Sequence, residues 1–535
     1  MSKISQDPIR CRVVSQLDNL ASRPGLLLLL FAGTYFIGFS LIASKSVVSN
    51  DELFTLYIAR LPHFSDVWAA LATGAEQTPP FFYAISRADL YLFGTSGLAL
   101  RLPELLAFAL MCACLFHIVT RRTSAVYGFL ALLFPFMTTA FNFVAEARAY
   151  ALVLAFSTFG LLCWIWACEG RNRVLALAGL ATSLGAAISC HYYAVLSLFP
   201  LVVGEAVRSF RRKRFDVGVW VALGWSLSPL VLFLPLIQSA RKFAPHFWSK
   251  PRWSSMAYFY DHFLLTSSAV PLLVIFLFVV AYGALRRSHA DLIESPLRNR
   301  IPSYEVVAAV SFLLIPVVGV VLAKAAIGAF SDRYALPSVI GLSIIVAWGL
   351  YIALDGRLAI ACGLALLFCG FLAIKEVQTL RRVVKTRSDQ ASTLAFLEEY
   401  ANGNAPIVIS GSTQYTELTY VAPQEMKRRL TYLVDPEMGL AYTGTNDIEQ
   451  GLVEMKLWAG LNVQPYRAYI SSGQKCYVYV VNYPAKYEWI VRALQSADWG
   501  LTLVRWQGNR ILFLAAPGAS ARSADTVNPA LANGR

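Results

Sequence analysis

GLLLLLFAGTYFIGFSLI (Gly25–Ile42), followed a few residues later by SNDELFTLYIAR (Ser49–Arg60), decides how this chain is read. The first stretch is close to the roughly 20 apolar residues that an α-helix needs to cross a bilayer. Lys3, Arg10, Arg12 and Arg23 precede it, and no small-residue cleavage site follows. It reads as an uncleaved first span, with residues 1–24 as a cytoplasmic N-terminal segment. The second stretch opens on the acid pair Asp51-Glu52 where the chain leaves the apolar run.

Working outward, the next apolar run, Leu98–Val119, ends at Arg121-Arg122, so residues 43–97 fall on the outer face under the positive-inside rule. Further spans are placed near 125–143, 149–168, 174–190, 193–207, 217–238, 264–285, 304–323, 335–354 and 358–375, about eleven in all. The loops then alternate. Arg171 with Arg173, the cluster from Arg208 to Arg214, Arg286-Arg287 with Arg298 and Arg300, and Arg357 all fall inside. An odd number of crossings puts the C-terminal tail outside.

Composition agrees. Of 535 residues, 57% are hydrophobic and 15% charged, with a mean hydropathy of +0.54, which excludes a disordered chain, a collagen-like fibre and a disulfide scaffold. The net charge of +14 is not a nucleic-acid signal. Residues 1–375 hold 30 Lys and Arg against 18 Asp and Glu, while residues 376–535 hold 16 against 14. The excess thus collects between apolar runs, and no nucleic-acid partner is expected. The nine cysteines show no metal-ligand spacing and no disulfide framework.

The expected fold is an α-helical polytopic membrane protein with a small C-terminal α/β domain. Residues 25–375 form the membrane domain. Its outer loop, 43–97, carries apolar stretches interrupted by Arg87 and Asp89, which suit helices lying in the interface. From about Ser388 the texture turns to alternating short strands and helices. PIVIS (406–410), RLTYLV (429–434), KCYVYVVNY (475–483) and LTLVRWQGNRILFLA (501–515) read as strands, the last folded at Gly508-Asn509. An extracytoplasmic α/β domain over 388–516 and a disordered tail over 517–535 follow.

Four motifs carry candidate chemistry, and the charge-derived topology puts all four on the outer side. Asp51 and Glu52 can accept a proton from a hydroxyl or hold a divalent cation; SNDE equally spells a helix N-cap with acids in the first turn. EARAY (146–150) sets Glu146 and Arg148 beside lipid, either lining a cavity or closing two helices as an ion pair. HYY (191–193) supplies His191 and Tyr192, suited to a substrate site or to an aromatic belt. SDRYALPS (331–338) supplies Arg333 and Tyr334, with Lys324 at the end of the preceding span. A guanidinium there can grip a phosphate bidentately or simply snorkel. RKFAPHFWSKPRW (241–253) adds cations and tryptophans on the same side.

At these residues the chain resembles the GT-C superfamily of polyprenyl-phosphate-dependent membrane glycosyltransferases, in particular its protein O-mannosyltransferase and aminoarabinose transferase branch (glycosyltransferase 39-like). The resemblance runs in order through NDELFTLYIA, TPPFFYAISRADLYLFGTSGLALRLPELLAF, EARAYALVLAF, HYYAVL and DRYALPSVIGL, over roughly residues 25–355. It implies a donor site at the membrane surface, with Asp51 as base or acceptor-orienting acid beside Glu52, and Glu146 at a second acidic position. Arg333 would ligand the donor phosphate, while His191 and Arg101 in LRLPE match family positions. Thr78 departs from the pattern, since many relatives have His or Lys just before the proline pair, so no donor contact is assigned to it.

The implied reaction moves a sugar from an undecaprenyl- or dolichyl-type phosphate to a hydroxyl on a glycan, lipid or protein, with inversion. It would occur on the extracytoplasmic face of the inner membrane. No cofactor is assigned, though Asp51 and Glu146 could hold a divalent metal. Two other readings stay open: a multi-span transporter or flippase of lipid-linked sugars, which should show paired halves or broken helices near the midplane, and a silent bundle that anchors the tail as a binding module.

Overall fold

The computed structural model describes residues 23–265, 268, 272, 301–481 and 489–518. The chain divides into two compact units: Met1–Ser44, Thr78–Leu234 and Lys250–Arg381 in one, and Lys45–Gln77, Pro235–Ser249 and Arg382–Arg535 in the other.

The first unit is helical. By length and composition, six helices can cross a membrane among the described residues: Pro24–Lys45, Gly97–Thr120, Tyr150–Cys168, Arg173–Cys190, Tyr192–Arg212 and Leu358–Tyr400. Two bent pairs add to them, one of which joins Ser303–Leu313 to Ile315–Ala326 at 53°, and Ala125–Met137 and Ser338–Ala353 are shorter apolar helices. These are the helices of a multi-pass membrane protein. The expected span 264–285 lies almost wholly outside the described residues.

Helix ends that the charge rule assigns to one side are tied together by ions. Arg122 pairs with both Glu169 and the buried Glu305. Arg208 donates to Glu205 at 2.8 Å and to Asp216 at 3.0 Å, and Trp164 Nε1 donates to Glu205 at 3.0 Å. Carboxylates this deeply buried persist only when paired in this way. The Ser303–Leu313 and Ser338–Ala353 helices approach so closely that a side chain at Gly341 would collide with the Ala309 carbonyl.

The second unit is built on a six-stranded sheet ordered β3-β2-β1-β4-β6-β5, with β1 Ile407–Ile409, β2 Leu430–Val434, β3 Val463–Pro465, β4 Cys476–Val481, β5 Trp499–Gln507 and β6 Arg510–Pro517. β1 runs parallel to β2 and β4, and β2 parallel to β3; the β5–β6 hairpin is antiparallel, turning at Gly508 (φ +61°). The hairpin and the other strand stretches agree with the sequence patterns. β3 was not foreseen, because three residues ending in proline carry no alternation to read.

Two boundaries differ from those drawn on the sequence. The helix Leu358–Tyr400 continues without a break past 375 and 388, since its residues keep good helix formers after the apolar run ends. The outer loop is also split. Residues 45–77 belong with the C-terminal sheet rather than with the membrane bundle, because the Asn50–Ala59 helix, in which Leu53 and Leu56 are buried, packs against the helices Ser412–Val421 and Asp447–Ala459. Ser239 Oγ donates to the Ala72 carbonyl at 2.6 Å, which joins residues 235–249 to the same unit.

Candidate functional site

Within the helical unit, three distant pieces of sequence meet in a cluster of rings and cations. Tyr150 opens the Tyr150–Cys168 helix, His191 ends the Arg173–Cys190 helix, and Arg333 and Tyr334 lie on a short 3-10 turn, Asp332–Ala335. His191 lies 5.5 Å from Tyr150 and 4.9 Å from Tyr334, ring centre to ring centre, and Tyr193 stacks on Tyr334 at 4.4 Å. The Arg333 guanidinium sits 5.9 Å over the Tyr150 ring. Phe143 and Phe330 complete the wall, against Tyr150 and against Tyr193 and Tyr334.

The histidine is neutral here. Burial holds its pKa down to about 3, reinforced by the positive charges of Arg148 and Arg333. Its Nδ1 accepts the Tyr193 backbone N–H at 3.3 Å, so in the neutral ring the proton sits on Nε2, which is a donor. Burial, and next the neighbouring Tyr150, push the Tyr334 phenol upward, so it too keeps its proton. The cluster is therefore a set of donors and two permanent cations around aromatic faces. Such a set suits an anion joined to something flat or sugar-like.

Other expected residues lie elsewhere. Arg101 is 1% exposed and donates from Nη1 to the Ala43 carbonyl at 2.6 Å and to the Gly97 carbonyl at 3.4 Å, which makes it a tie inside the bundle. Lys324 is exposed and turns to the Pro251 carbonyl at 3.3 Å and to the face of Trp253. Tyr193 takes the place expected of Tyr192, its hydroxyl donating to the Ala329 carbonyl. Glu146 and Arg148 are half-buried in the turn before Tyr150, and of the two it is Arg148 whose charge acts on His191 within the cluster. Tyr150, Phe143 and Phe330 are not among the site residues expected from sequence; the aromatic density of FNFVAEARAY marks the first two, and Phe330 stands directly before SDRYALPS.

Asp51 and Glu52 lie in the other unit, in the first turn of the Asn50–Ala59 helix. Their tasks differ. Glu52 is 2% exposed and accepts the Ser49 backbone N–H at 3.0 Å, the reciprocal half of a capping box. Asp51 is half-buried on the same turn. Among the described residues, no group of three His, Cys, Asp or Glu side chains is placed to hold a metal ion.

Residues 77–238 match the family described as dolichyl-phosphate-mannose-protein mannosyltransferase. That stretch holds Glu146, Arg148, Tyr150 and His191. No curated protein matches the chain. Among solved structures, ArnT from Cupriavidus metallidurans in the apo state superposes with a TM-score of 0.56 at 14% identity, covering 91% of this chain and 97% of that one. The same protein bound to undecaprenyl phosphate gives a TM-score of 0.52 at 13% identity, with 91% and 97% covered.

Proposed function

We propose that this chain, which has the GT-C fold of membrane glycosyltransferases, transfers a sugar from a polyprenyl-phosphate carrier to an acceptor hydroxyl. The observation that carries this reading is the cluster of Arg148, Arg333 and His191 with Tyr150, Tyr193 and Tyr334. The ArnT relative of the same fold is one that binds undecaprenyl phosphate, which is the donor chemistry proposed.

In the proposed reaction the acceptor oxygen attacks the anomeric carbon, and the bond from that carbon to the phosphate oxygen breaks. The resemblance at NDELFTLYIA gives Asp51 the task of taking the hydroxyl proton. The carrier phosphate leaves with the bonding pair, and its growing charge is offset by Arg333, Arg148 and the Nε2–H of His191. Aromatic faces hold the sugar. One displacement inverts the anomeric centre. Glu52 is assigned to the helix cap rather than to chemistry, and Arg101 to the bundle. We place the reaction on the extracytoplasmic side of the inner membrane, with a glycan, lipid or protein as acceptor.

The test is transfer by the intact chain from defined polyprenyl-phosphate sugars, with Asp51→Asn and Arg333→Ala alongside. Asp51→Asn should lower kcat by about 10²–10⁴-fold, the range a lost general base spans. Arg333→Ala should raise the donor KM. Full activity in Asp51→Asn would sink the base assignment, and an unchanged donor KM in Arg333→Ala would sink the donor site.

A further inference from the structure

The Asn50–Ala59 helix is ten residues long, too short to hold its own start in water. Its first turn is instead fixed by two side chains from the C-terminal domain. Thr416 Oγ1 donates to Asn50 Oδ1 at 2.7 Å, and the Asn50 backbone N–H donates to Glu417 Oε1 at 3.3 Å. Thr416 is fully buried and Glu417 half-buried, both on the Ser412–Val421 helix, and all these residues belong to one compact unit. With Glu52 on the Ser49 N–H, the backbone N–H groups of the two residues before Asp51 are both met by carboxylates. Burial pushes the Glu417 carboxyl upward; the Asn50 N–H opposes this and the nearby Glu52 charge adds to it.

We infer that Thr416 and Glu417 are positioning residues for Asp51. This rests on the proposed role of Asp51. A general base acts only within hydrogen-bond reach of its proton, and displacement by about 1 Å costs on the order of 10²-fold. The clasp grips the residue next to Asp51, so losing it lets the carboxylate wander while the arginine cluster is left as it was. The signature is therefore a fall in kcat with the donor KM unchanged.

Thr416→Val removes the hydroxyl at nearly constant volume, and Asn50→Ala removes the same bond from the other side. Each should lower kcat by about 10-fold in the intact, detergent-purified protein, at unchanged donor KM. Thr416→Ser should restore kcat. The double variant Thr416→Val with Asn50→Ala should be no worse than either single one, and Thr416→Val should add nothing to Asp51→Asn. Wild-type kcat in Asn50→Ala and Thr416→Val, while Asp51→Asn stays inactive, overturns the clasp and leaves the base assignment standing. A fully active Asp51→Asn removes the base assignment and the clasp with it. If Thr416→Val fails to fold, Asn50→Ala, at a half-buried position in the first turn of its helix, decides the question alone.

Discussion

The ring of Tyr193 lies 4.4 Å from that of Tyr334 with 19° between their planes, although the two stand 141 positions apart in the chain. Tyr193 lies on the 3-10 turn Tyr192–Ser197, which comes after the helix ending at Cys190, and Tyr334 belongs to the turn that precedes the Ser338–Ala353 helix. The stack therefore fixes the position of Arg333 relative to His191, the two donors to which the proposed phosphate site is assigned.

Removing that stack should loosen the site before it unfolds the bundle. Tyr334→Ala should raise the donor KM by roughly 10-fold or more and cost about 2 kcal/mol of stability, less than the roughly 3 kcal/mol or more of a fully buried aromatic because its ring is half-buried. Tyr334→Phe keeps the stacked ring and should retain most of the affinity. Donor titration beside thermal unfolding checks both.

Replacing Arg333 by Lys separates charge from geometry. Lysine keeps the positive charge but lacks the planar fork, so Arg333→Lys should bind donor more weakly than wild type and more tightly than Arg333→Ala. Equal KM values for the Lys variant and wild type would show that charge alone is used.

His191 makes a signed prediction for acid. Its folded pKa, about 3, lies below the ordinary imidazole value near 6.5, because burial and the two arginines oppose the charged ring. A depressed value means that stability is fully present above about pH 6.5 and falls as pH drops toward 3, since the unfolded imidazole takes up a proton that the folded one refuses. His191→Gln should flatten this part of the stability curve. It also follows that His191 adds no limb to a rate profile between pH 5 and 8.

Glu449 makes the opposite prediction for the C-terminal domain. Burial raises its carboxyl to about 7, despite hydrogen bonds donated by Tyr432, Trp489 Nε1 and the Asp435 N–H. A raised value favours the protonated form in the fold. Stability is then greatest below about pH 4.5 and declines as pH rises through 7, by on the order of 2–3 kcal/mol. Glu449→Gln should remove that decline, which thermal melts from pH 5 to 8 would reveal.

Glu52 and Asp51 are neighbours whose losses should look different. Glu52→Gln leaves an acceptor for the Ser49 N–H and should be mild, while Glu52→Ala should cost about 1 kcal/mol through the lost cap. Asp51→Asn should cost activity without a comparable loss of stability.

Apolar runs and the cations between them made most of the helical plan legible, because each span must satisfy its own backbone in lipid and the charges mark where it ends. Arg148, His191, Arg333 and Tyr334, which the fold brings into one cluster, also stand out in the letters, since ionisable and aromatic groups beside apolar runs are costly without a partner. What was not visible follows from partner choice. Nothing in LRLPE says that Arg101 ends on the Ala43 carbonyl, and nothing in HYY distinguishes Tyr192 from Tyr193.

Local pattern thus determined that the chain crosses a membrane many times, that a small sheet domain follows, and which polar residues stand at helix ends. Only the tertiary structure decided that residues 45–77 fold with that sheet domain, that Glu52 caps a helix, and that Tyr150, His191 and Tyr334 share one wall. The physical reason is range. Hydropathy and helix capping act over a few residues and are written in consecutive letters, whereas ring stacking and the pairing of Thr416 with Asn50 join positions hundreds of residues apart, which only packing brings into contact.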